Sequence, residues 1–299
     1  NGPSRLASFD SAFRAVTAHS SGPLLLYFTG HGGPAADGGY DNNEYDMWGG
    51  DALTVKRLAA HIDTLPPRTP VIVVMVECFS GGFGNLLFAG GDPDGPVTDK
   101  DLCGFFAAIP TREAAGCTAE VNEANYRDFT SYFFAALSGR DRLGRPVTGA
   151  DYDGDGKVGM NEAFAYALIH DVSIDTPVCT SDVFLRRFVK IPDEVVFATP
   201  YRSVLQWASP AQRAAMEGLS KALGYREESR LATAYARVRQ MTGEREDEED
   251  ERDAQIIRFA RAAKSVVLAH RLPAICDAPT QARYAALLAA EAGDPLRPQ

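Results

Sequence analysis

The 299-residue chain lacks several features that would place it in a functional class. It has no apolar run approaching the roughly 18 residues needed to span a membrane. Its five cysteines include no CxxC pair of the kind that binds zinc. Basic residues are not in excess, because 40 acidic and 30 basic side chains give a net charge of −10. Since phosphate binding needs a basic face, nucleic acid is not expected as a partner.

Cysteine is sparse, and its positions are far apart in the chain. If Cys78 is a reactive thiol, the other four could form two disulfides or none. Cys117 could pair with either Cys103 or Cys179, and Cys276 lies far from all of them in sequence. The spacing does not decide between these arrangements.

The sequence begins without methionine, and the first strand-like run comes only at Leu24. We therefore expect that leading βα elements of the domain are missing from this chain. From about Pro200 the composition shifts to Ala, Arg, Leu and Glu with helical periodicity. We predict an α/β domain over residues 1–199 and a helical region over 200–299. The helices predicted in that region are 210–223, 227–242, 254–270 and 279–292.

Two apolar runs that end in glycine-rich turns are the most informative feature present. Leu24–Phe28 is followed by Thr-Gly-His31-Gly-Gly, and Val71–Val76 is followed by Glu-Cys78-Phe-Ser-Gly-Gly. Such runs predict buried parallel strands, and in open α/β sheets the chemistry lies beyond the carboxyl ends of the strands. We expect His31 and Cys78 in the same crevice, where a thiol nucleophile and its base would meet.

The residue types around these two side chains suit acyl transfer. An ordinary thiol is mostly protonated at pH 7, so a neighbouring imidazole would take its proton and later protonate a leaving amine. The N–H groups of Gly32 and Cys78 are candidate oxyanion donors, and Trp48 could wall a substrate cleft. The competing interpretation is a cysteine buried as a small hydrophobe and a histidine that caps a turn.

The two blocks Tyr-Phe-Thr-Gly-His31-Gly and Glu-Cys78-Phe-Ser-Gly-Gly resemble those of caspase-like cysteine peptidases, a group with caspases, metacaspases, legumains and gingipains. The resemblance covers roughly residues 8–200 and includes the order of the histidine and the cysteine. It implies a caspase-haemoglobinase-like three-layer α/β sandwich with a mostly parallel sheet, here followed by an α-helical C-terminal extension. It also implies endopeptidase activity, with His31 as general acid/base and Cys78 as nucleophile.

The chain departs from that group in the expected specificity pocket. Members that cleave after basic or Asn side chains commonly carry an acidic or polar residue two positions before the cysteine, where this chain has Val76. Glu77 should point to the opposite side of the strand. An acidic pocket could instead come from Asp46, Glu113 or Glu120, and an apolar or small side chain before the scissile bond is equally open.

A second motif, Asp-Tyr-Asp-Gly-Asp-Gly-Lys-Val-Gly-Met-Asn-Glu over residues 151–162, fits a calcium loop. Its predicted ligands are Asp151, Asp153, Asp155, the Lys157 carbonyl and both oxygens of Glu162, and a glycine stands at the sixth position. Hard oxygen ligands at these spacings suit Ca²⁺. We predict a structural clamp at the start of the helix that ends near residue 170, with a calcium switch as the alternative.

The sequence thus predicts a calcium-stabilised cysteine endopeptidase acting on protein or peptide substrates. The alternatives are a catalytically inactive caspase-like interaction module and a calcium-stabilised scaffold. The C-terminal helices could receive a protein partner, and the acidic run 244–253 is interpreted as a solvated face or link. The calcium loop favours an extracytoplasmic location, with the cytoplasm as the alternative.

Overall fold

A computed structural model describes residues 2–18, 22–116, 126–241 and 251–295. The strands are β1 Leu24–Phe28, β2 Gly32–Gly33, β3 Glu44–Asp46, β4 Ala52–Thr54, β5 Val71–Met75, β6 Leu102–Phe106 and β7 Val178–Cys179. The helices are α1 Leu6–Thr17, α2 Val55–Asp63, α3 Phe129–Ser138, α4 Met160–His170, α5 Thr180–Phe188, α6 Asp193–Phe197, α7 Tyr201–Trp207, α8 Pro210–Ala222, α9 Arg230–Gln240, α10 Glu251–Ile275 and α11 Ala278–Glu291. Within these residues no helix is long and apolar enough to cross a bilayer.

The chain has an α/β fold whose central sheet is mixed but mostly parallel. Its four strands lie in the order β1-β5-β6-β7, and only the β6–β7 pairing is antiparallel. All five residues of β5 and all five of β6 are buried, which is why both segments are uninterrupted apolar runs in the sequence. The two predicted strands are present and pair in parallel as β1 and β5. The expected burial is correct for β5 and wrong for β1, which lies at the end of the sheet and exposes Leu25 and Tyr27.

One face of this sheet packs on the first two helices. Phe13 of α1 and Leu58 and Ile62 of α2 pack in one apolar cluster with Val73 and Met75 of β5. The N-terminus of α2 is capped by Thr54, whose hydroxyl accepts a hydrogen bond from the Arg57 N–H. Burying these apolar stripes holds β5 in the middle of the sheet and fixes the position of its carboxyl end.

A small antiparallel sheet, β2-β3-β4, follows directly after β1. After β5 the chain forms a 3₁₀ helix over Ser80–Leu87. Glycines at 81, 82 and 84 favour this tighter winding, because they lower α-helix propensity.

By its internal contacts the chain divides into two compact units. Among the described residues, the first comprises those within 2–116 and 177–183, and the second comprises those within 126–176 and 184–295. This division differs from the predicted boundary at residue 199. The reason is that α3 packs on α4 and α4 packs on α8, so the calcium-type loop and its helix belong with the C-terminal helices.

The second unit contains a fully buried arginine. Arg258 of α10 forms an ion pair with Asp171 at 3.0 Å and also donates to the backbone carbonyls of Asp171, Ser173 and Asp175. Neither charged side chain is exposed to solvent. The guanidinium therefore fastens the segment that follows α4 to the long helix.

Removing this arginine should strongly destabilise the second unit. Arg258→Met is expected to lower the free energy of unfolding by about 3–5 kcal/mol, because Asp171 would be left as an uncompensated buried charge. Arg237→Met, which removes a solvent-exposed pair with Asp253, is the matched control and should cost about 0–1 kcal/mol. Chemical denaturation of both variants measures the difference, and equal effects would contradict this role of Arg258.

Candidate active site

The predicted histidine and cysteine follow paired strand ends at the same offset. The parallel register places Phe28 opposite Met75 at the ends of β1 and β5, and the Val76 N–H extends the pairing by donating to the Phe28 carbonyl at 3.2 Å. His31 comes three positions after Phe28, and Cys78 comes three positions after Met75. The sheet therefore carries both turns to one edge.

The two turns touch through Gly32. A Cβ atom added to Gly32 would lie 2.7 Å from the Cys78 carbonyl oxygen and 2.6 Å from the Cγ atom of Glu77. It would also lie 2.9 Å from the Glu44 carbonyl oxygen. Only glycine fits this close approach, so the backbone beside His31 packs directly on the backbone of Cys78.

Both side chains remain reachable from solvent. His31 is exposed, Cys78 is half-buried, and the Cys78 Sγ atom lies 3.9 Å from the Ala114 carbonyl oxygen. A cysteine that served only as a core hydrophobe would be sealed among apolar side chains. The placement fits the reactive interpretation better than the structural one.

The turn after Cys78 is held in an unusual conformation. Phe79 has φ of +61°, the one left-handed non-glycine residue in the described part of the chain. Its N–H donates to the Arg112 carbonyl at 2.8 Å, and its carbonyl accepts from the Asn43 side chain at 2.8 Å. A bulky residue in this region costs of order 1–3 kcal/mol and persists only where its surroundings enforce it. The strain lies next to the predicted nucleophile.

Buried residues join the cysteine turn to the loop that follows β6. Asn43 is fully buried and donates to Pro110 as well as to Phe79, which ties the loop after β6 to the cysteine turn. Ser80 is buried and accepts from the Ala108 N–H, and a Cβ atom on Gly81 would lie 2.4 Å from the Ala108 carbonyl. Sequence reasoning missed Asn43, since one amide in a polar loop carries no signal of its own.

Three of the five residues considered for the substrate site lie beside these turns. Val76 is half-buried between β5 and Cys78, exposed Asp46 donates its N–H to the His31 carbonyl at 2.9 Å, and half-buried Glu113 directly precedes Ala114. Trp48 is 68% exposed and donates its N–H to the Ser4 carbonyl. Glu120 lies outside the described residues.

Aromatic side chains add to the surface near the thiol. The ring of exposed Tyr40 stacks on Phe79 with the ring centroids 6.2 Å apart and 16° between the planes. Because Phe79 directly follows Cys78 in the chain, this pair adds apolar surface to the cysteine turn. Tyr40 was not among the residues selected from the sequence.

Glu77, the residue before the cysteine, exposes only 1% of its surface to solvent. Within the described residues neither of its carboxyl oxygens has a hydrogen-bond partner. Burial raises the pKa of Glu77 to about 8, the N–H groups of Glu77 itself and of Val76 lower it in part, and Asp46 raises it further. The carboxyl group is therefore mostly uncharged at pH 7.

The predicted calcium loop brings three carboxylates together. One oxygen from each of Asp151, Asp153 and Asp155 lies within 4.8 Å of the others. Glu162 folds back into the loop, where Oε1 accepts from the N–H groups of Tyr152 and Asp153 and Oε2 accepts from the Gly159 N–H. Oxygens of three acidic side chains thus lie close together, and Glu162 binds backbone donors.

His61 and the described cysteines other than Cys78 lie outside the two turns. His61 forms a 2.8 Å contact with Asp10 and packs against Phe9 and Phe13, so it belongs to the α1–α2 layer. None of the four described cysteines forms a disulfide with another described residue. Cys117, to which both predicted pairings were assigned, lies outside the described residues.

Comparison with known proteins gives no further guide. No family model matches the chain, and neither the curated proteins nor the solved structures return a match. The geometry of the two turns and of the acidic loop therefore carries the functional argument.

Proposed function

We propose that this chain is a cysteine endopeptidase with a caspase-like α/β sandwich, in which Cys78 is the nucleophile and His31 the general acid/base. The observation that carries the proposal is the close packing of Gly32 on the Cys78 backbone at the ends of two paired parallel strands. This packing supports placing an exposed imidazole and a half-buried thiol at one sheet edge.

The first half of the reaction is acyl transfer to the thiol. The Cys78 thiol loses its proton to His31, and the sulfur attacks the carbonyl carbon of the scissile peptide bond. The oxyanion accepts hydrogen bonds from the predicted donors, the N–H groups of Gly32 and Cys78. When the C–N bond breaks, His31 gives its proton to the departing amine, and a thioester remains on Cys78.

The second half releases the acid product. His31 removes a proton from water, and the hydroxide oxygen attacks the thioester carbon. The C–S bond then breaks, and the thiolate of Cys78 regains a proton from His31. The dyad returns to its starting protonation without any other reactant.

The surface beside the dyad suits an extended peptide. Acidic Asp46 and Glu113 favour a basic side chain at the cleavage position, whereas Val76 and the Tyr40–Phe79 stack favour an apolar one. The two groups of residues flank the same turns, so the preference stays open between them.

A peptide-library cleavage profile, recorded with Ca²⁺ present, tests the proposed function. We expect internal cleavage of peptides and a preference at the residue before the cut. If no internal bond is cut in any member of the library, the chain is better explained as an inactive caspase-like interaction module.

We also propose that residues 151–162 bind Ca²⁺ as a structural clamp. The carboxylates of Asp151, Asp153 and Asp155, the Lys157 carbonyl and Glu162 would hold the ion, and Glu162 would exchange its backbone donors for the metal. The ion would supply positive charge that neutralises the converging carboxylates and fixes the start of α4. The Met160 N–H of that helix donates to the Gly293 carbonyl, so the clamp also reaches the end of α11.

Calcium should raise the thermal stability of the protein. At a free ion concentration about 100 times the dissociation constant, binding contributes about 2.7 kcal/mol, which a chelator would remove. The double variant Asp153→Asn, Asp155→Asn keeps a carbonyl oxygen at each site and should lose the shift. Asp63→Asn, at the exposed end of α2, is the control for loss of charge. Equal melting temperatures with calcium and with chelator would contradict the clamp.

A further inference from the structure

The side chain of Glu77 lies between the two turns of the candidate active site. Its Cγ atom occupies the space beside Gly32, where an added Cβ atom would approach it to 2.6 Å. The Glu77 carbonyl accepts from the Ser80 N–H at 3.3 Å, which closes the turn that contains Cys78. One residue thus contacts the histidine turn through its side chain and forms the cysteine turn through its backbone.

The negative charge of this carboxyl group is compensated only in part, by the N–H groups of Glu77 and Val76. It is almost fully buried, and within the described residues neither of its oxygens has a hydrogen-bond partner. A buried carboxylate that lacks well-formed hydrogen bonds costs several kcal/mol, whereas the protonated form costs much less. The arrangement is therefore stable only while Glu77 keeps its proton.

The ionisable groups around Glu77 do not stabilise its charged form. Asp46 on β3 raises its pKa, and Tyr45 on the same strand uses its hydroxyl to bond the Thr29 carbonyl at 2.8 Å. Burial, and then the charges of Glu77 and Asp46, raise the pKa of Tyr45 in turn.

The other ionisable side chains on the neighbouring segments belong to the turns themselves or flank them: His31, Glu44, Cys78, Arg112 and Glu113. The backbone carbonyl of Arg112 accepts from the Phe79 N–H, and Asp46 is the ionisable side chain that shifts the pKa of Glu77.

We propose that Glu77 is a positioning residue that holds the His31 turn against the Cys78 turn while its carboxyl group is uncharged. The proposal rests on the proposed peptidase function. When Glu77 ionises, its side chain must leave the space beside Gly32 or draw in water, and either change moves Gly32 relative to Cys78. Because the pKa of Glu77 is about 8, the loss of alignment falls in mildly alkaline solution.

The test compares pH profiles of kcat/KM for the wild type and two variants. Glu77→Ala should lower kcat/KM at pH 7 by at least about tenfold. Glu77→Gln keeps the shape of the side chain and cannot ionise, so it should retain most of the wild-type kcat/KM at pH 7. In the wild type an activity decline is expected through pH 8, and in Glu77→Gln this decline should be absent. Asp46→Asn should move the wild-type decline to lower pH, because it removes a negative charge that opposes ionisation.

Two results overturn the proposal. One is a folded Glu77→Gln protein that is as inactive at pH 7 as Glu77→Ala, since the carboxyl group itself would then be needed. The other is an alkaline decline of equal size in the wild type and in Glu77→Gln.

A second readout separates this proposal from the proposed function. The rate at which iodoacetamide alkylates Cys78 is measured over the same pH range by peptide mapping. A break near pH 8 in the wild type, missing in Glu77→Gln, supports the positioning role even if no peptide is cleaved. Identical alkylation profiles in the two proteins reject it.

Discussion

Cys78→Ala is expected to abolish peptide cleavage. The melting temperature of the variant should equal that of the wild type. The sulfur is the atom that forms the thioester, so its loss should lower kcat/KM by at least about 10³-fold. The fold should tolerate the change, because the side chain is only half-buried and the turn is held by backbone and Asn43 contacts that alanine keeps. Cleavage of the best library peptide and thermal unfolding measure the two effects.

Cys276→Ala is the matched control for this experiment. Cys276 is also half-buried and outside any disulfide with a described residue, and its Sγ atom lies 3.7 Å from the Phe188 carbonyl. Burial, and then the charge of Asp277, raise the pKa of its thiol, which makes it less reactive. It should keep wild-type cleavage. Equal activity in Cys78→Ala and the wild type would mean that the thiol is structural.

Gly32→Ala is expected to impair both folding stability and turnover. The new methyl group would overlap Glu77, the Cys78 carbonyl and the Glu44 carbonyl, and two of these three contacts are with rigid backbone. Overpacking of this kind costs about 1–3 kcal/mol of unfolding free energy. A displacement of about 1 Å between the two turns is enough to lower kcat/KM by about 10²-fold.

The neighbouring glycine provides the control. A Cβ atom on Gly33 would meet nothing within 4 Å. The free energy of unfolding of Gly33→Ala should therefore lie within about 0.5 kcal/mol of the wild-type value. Denaturant titrations of both variants give the comparison, and a Gly32→Ala protein as stable and active as Gly33→Ala would show that the turns do not pack as described.

The sheet and its two turns could be predicted from the sequence because they depend on local pattern. The buried runs of β5 and β6 are continuously apolar, and the glycines after β1 and β5 mark the turns. The rule that such runs form central strands describes β5 and β6, whereas β1 lies at the end of the sheet and is only partly buried. The four long C-terminal helices were predicted for the same reason, within a few residues at most of their ends.

What could not be predicted depends on contacts between distant segments. Asn43 and Tyr40 lie in a polar loop whose pattern does not show that they reach Phe79. Glu77 was expected to point away from the substrate side, but its burial without a partner depends on how β3 and Gly32 pack over it. The grouping of α4 with α8 likewise has no signature in composition, which shifts only near residue 200.

Covalent labelling with a peptidyl electrophile tests the pairing of His31 with Cys78 most directly. The wild type and His31→Ala are treated with the same reagent, and the modified residue is located by peptide mapping. The account predicts one adduct, on Cys78, formed at least about 10²-fold more slowly in His31→Ala, with Cys276 unmodified. A Cys78 that stays unlabelled, or one that is labelled equally fast in both proteins, would contradict it.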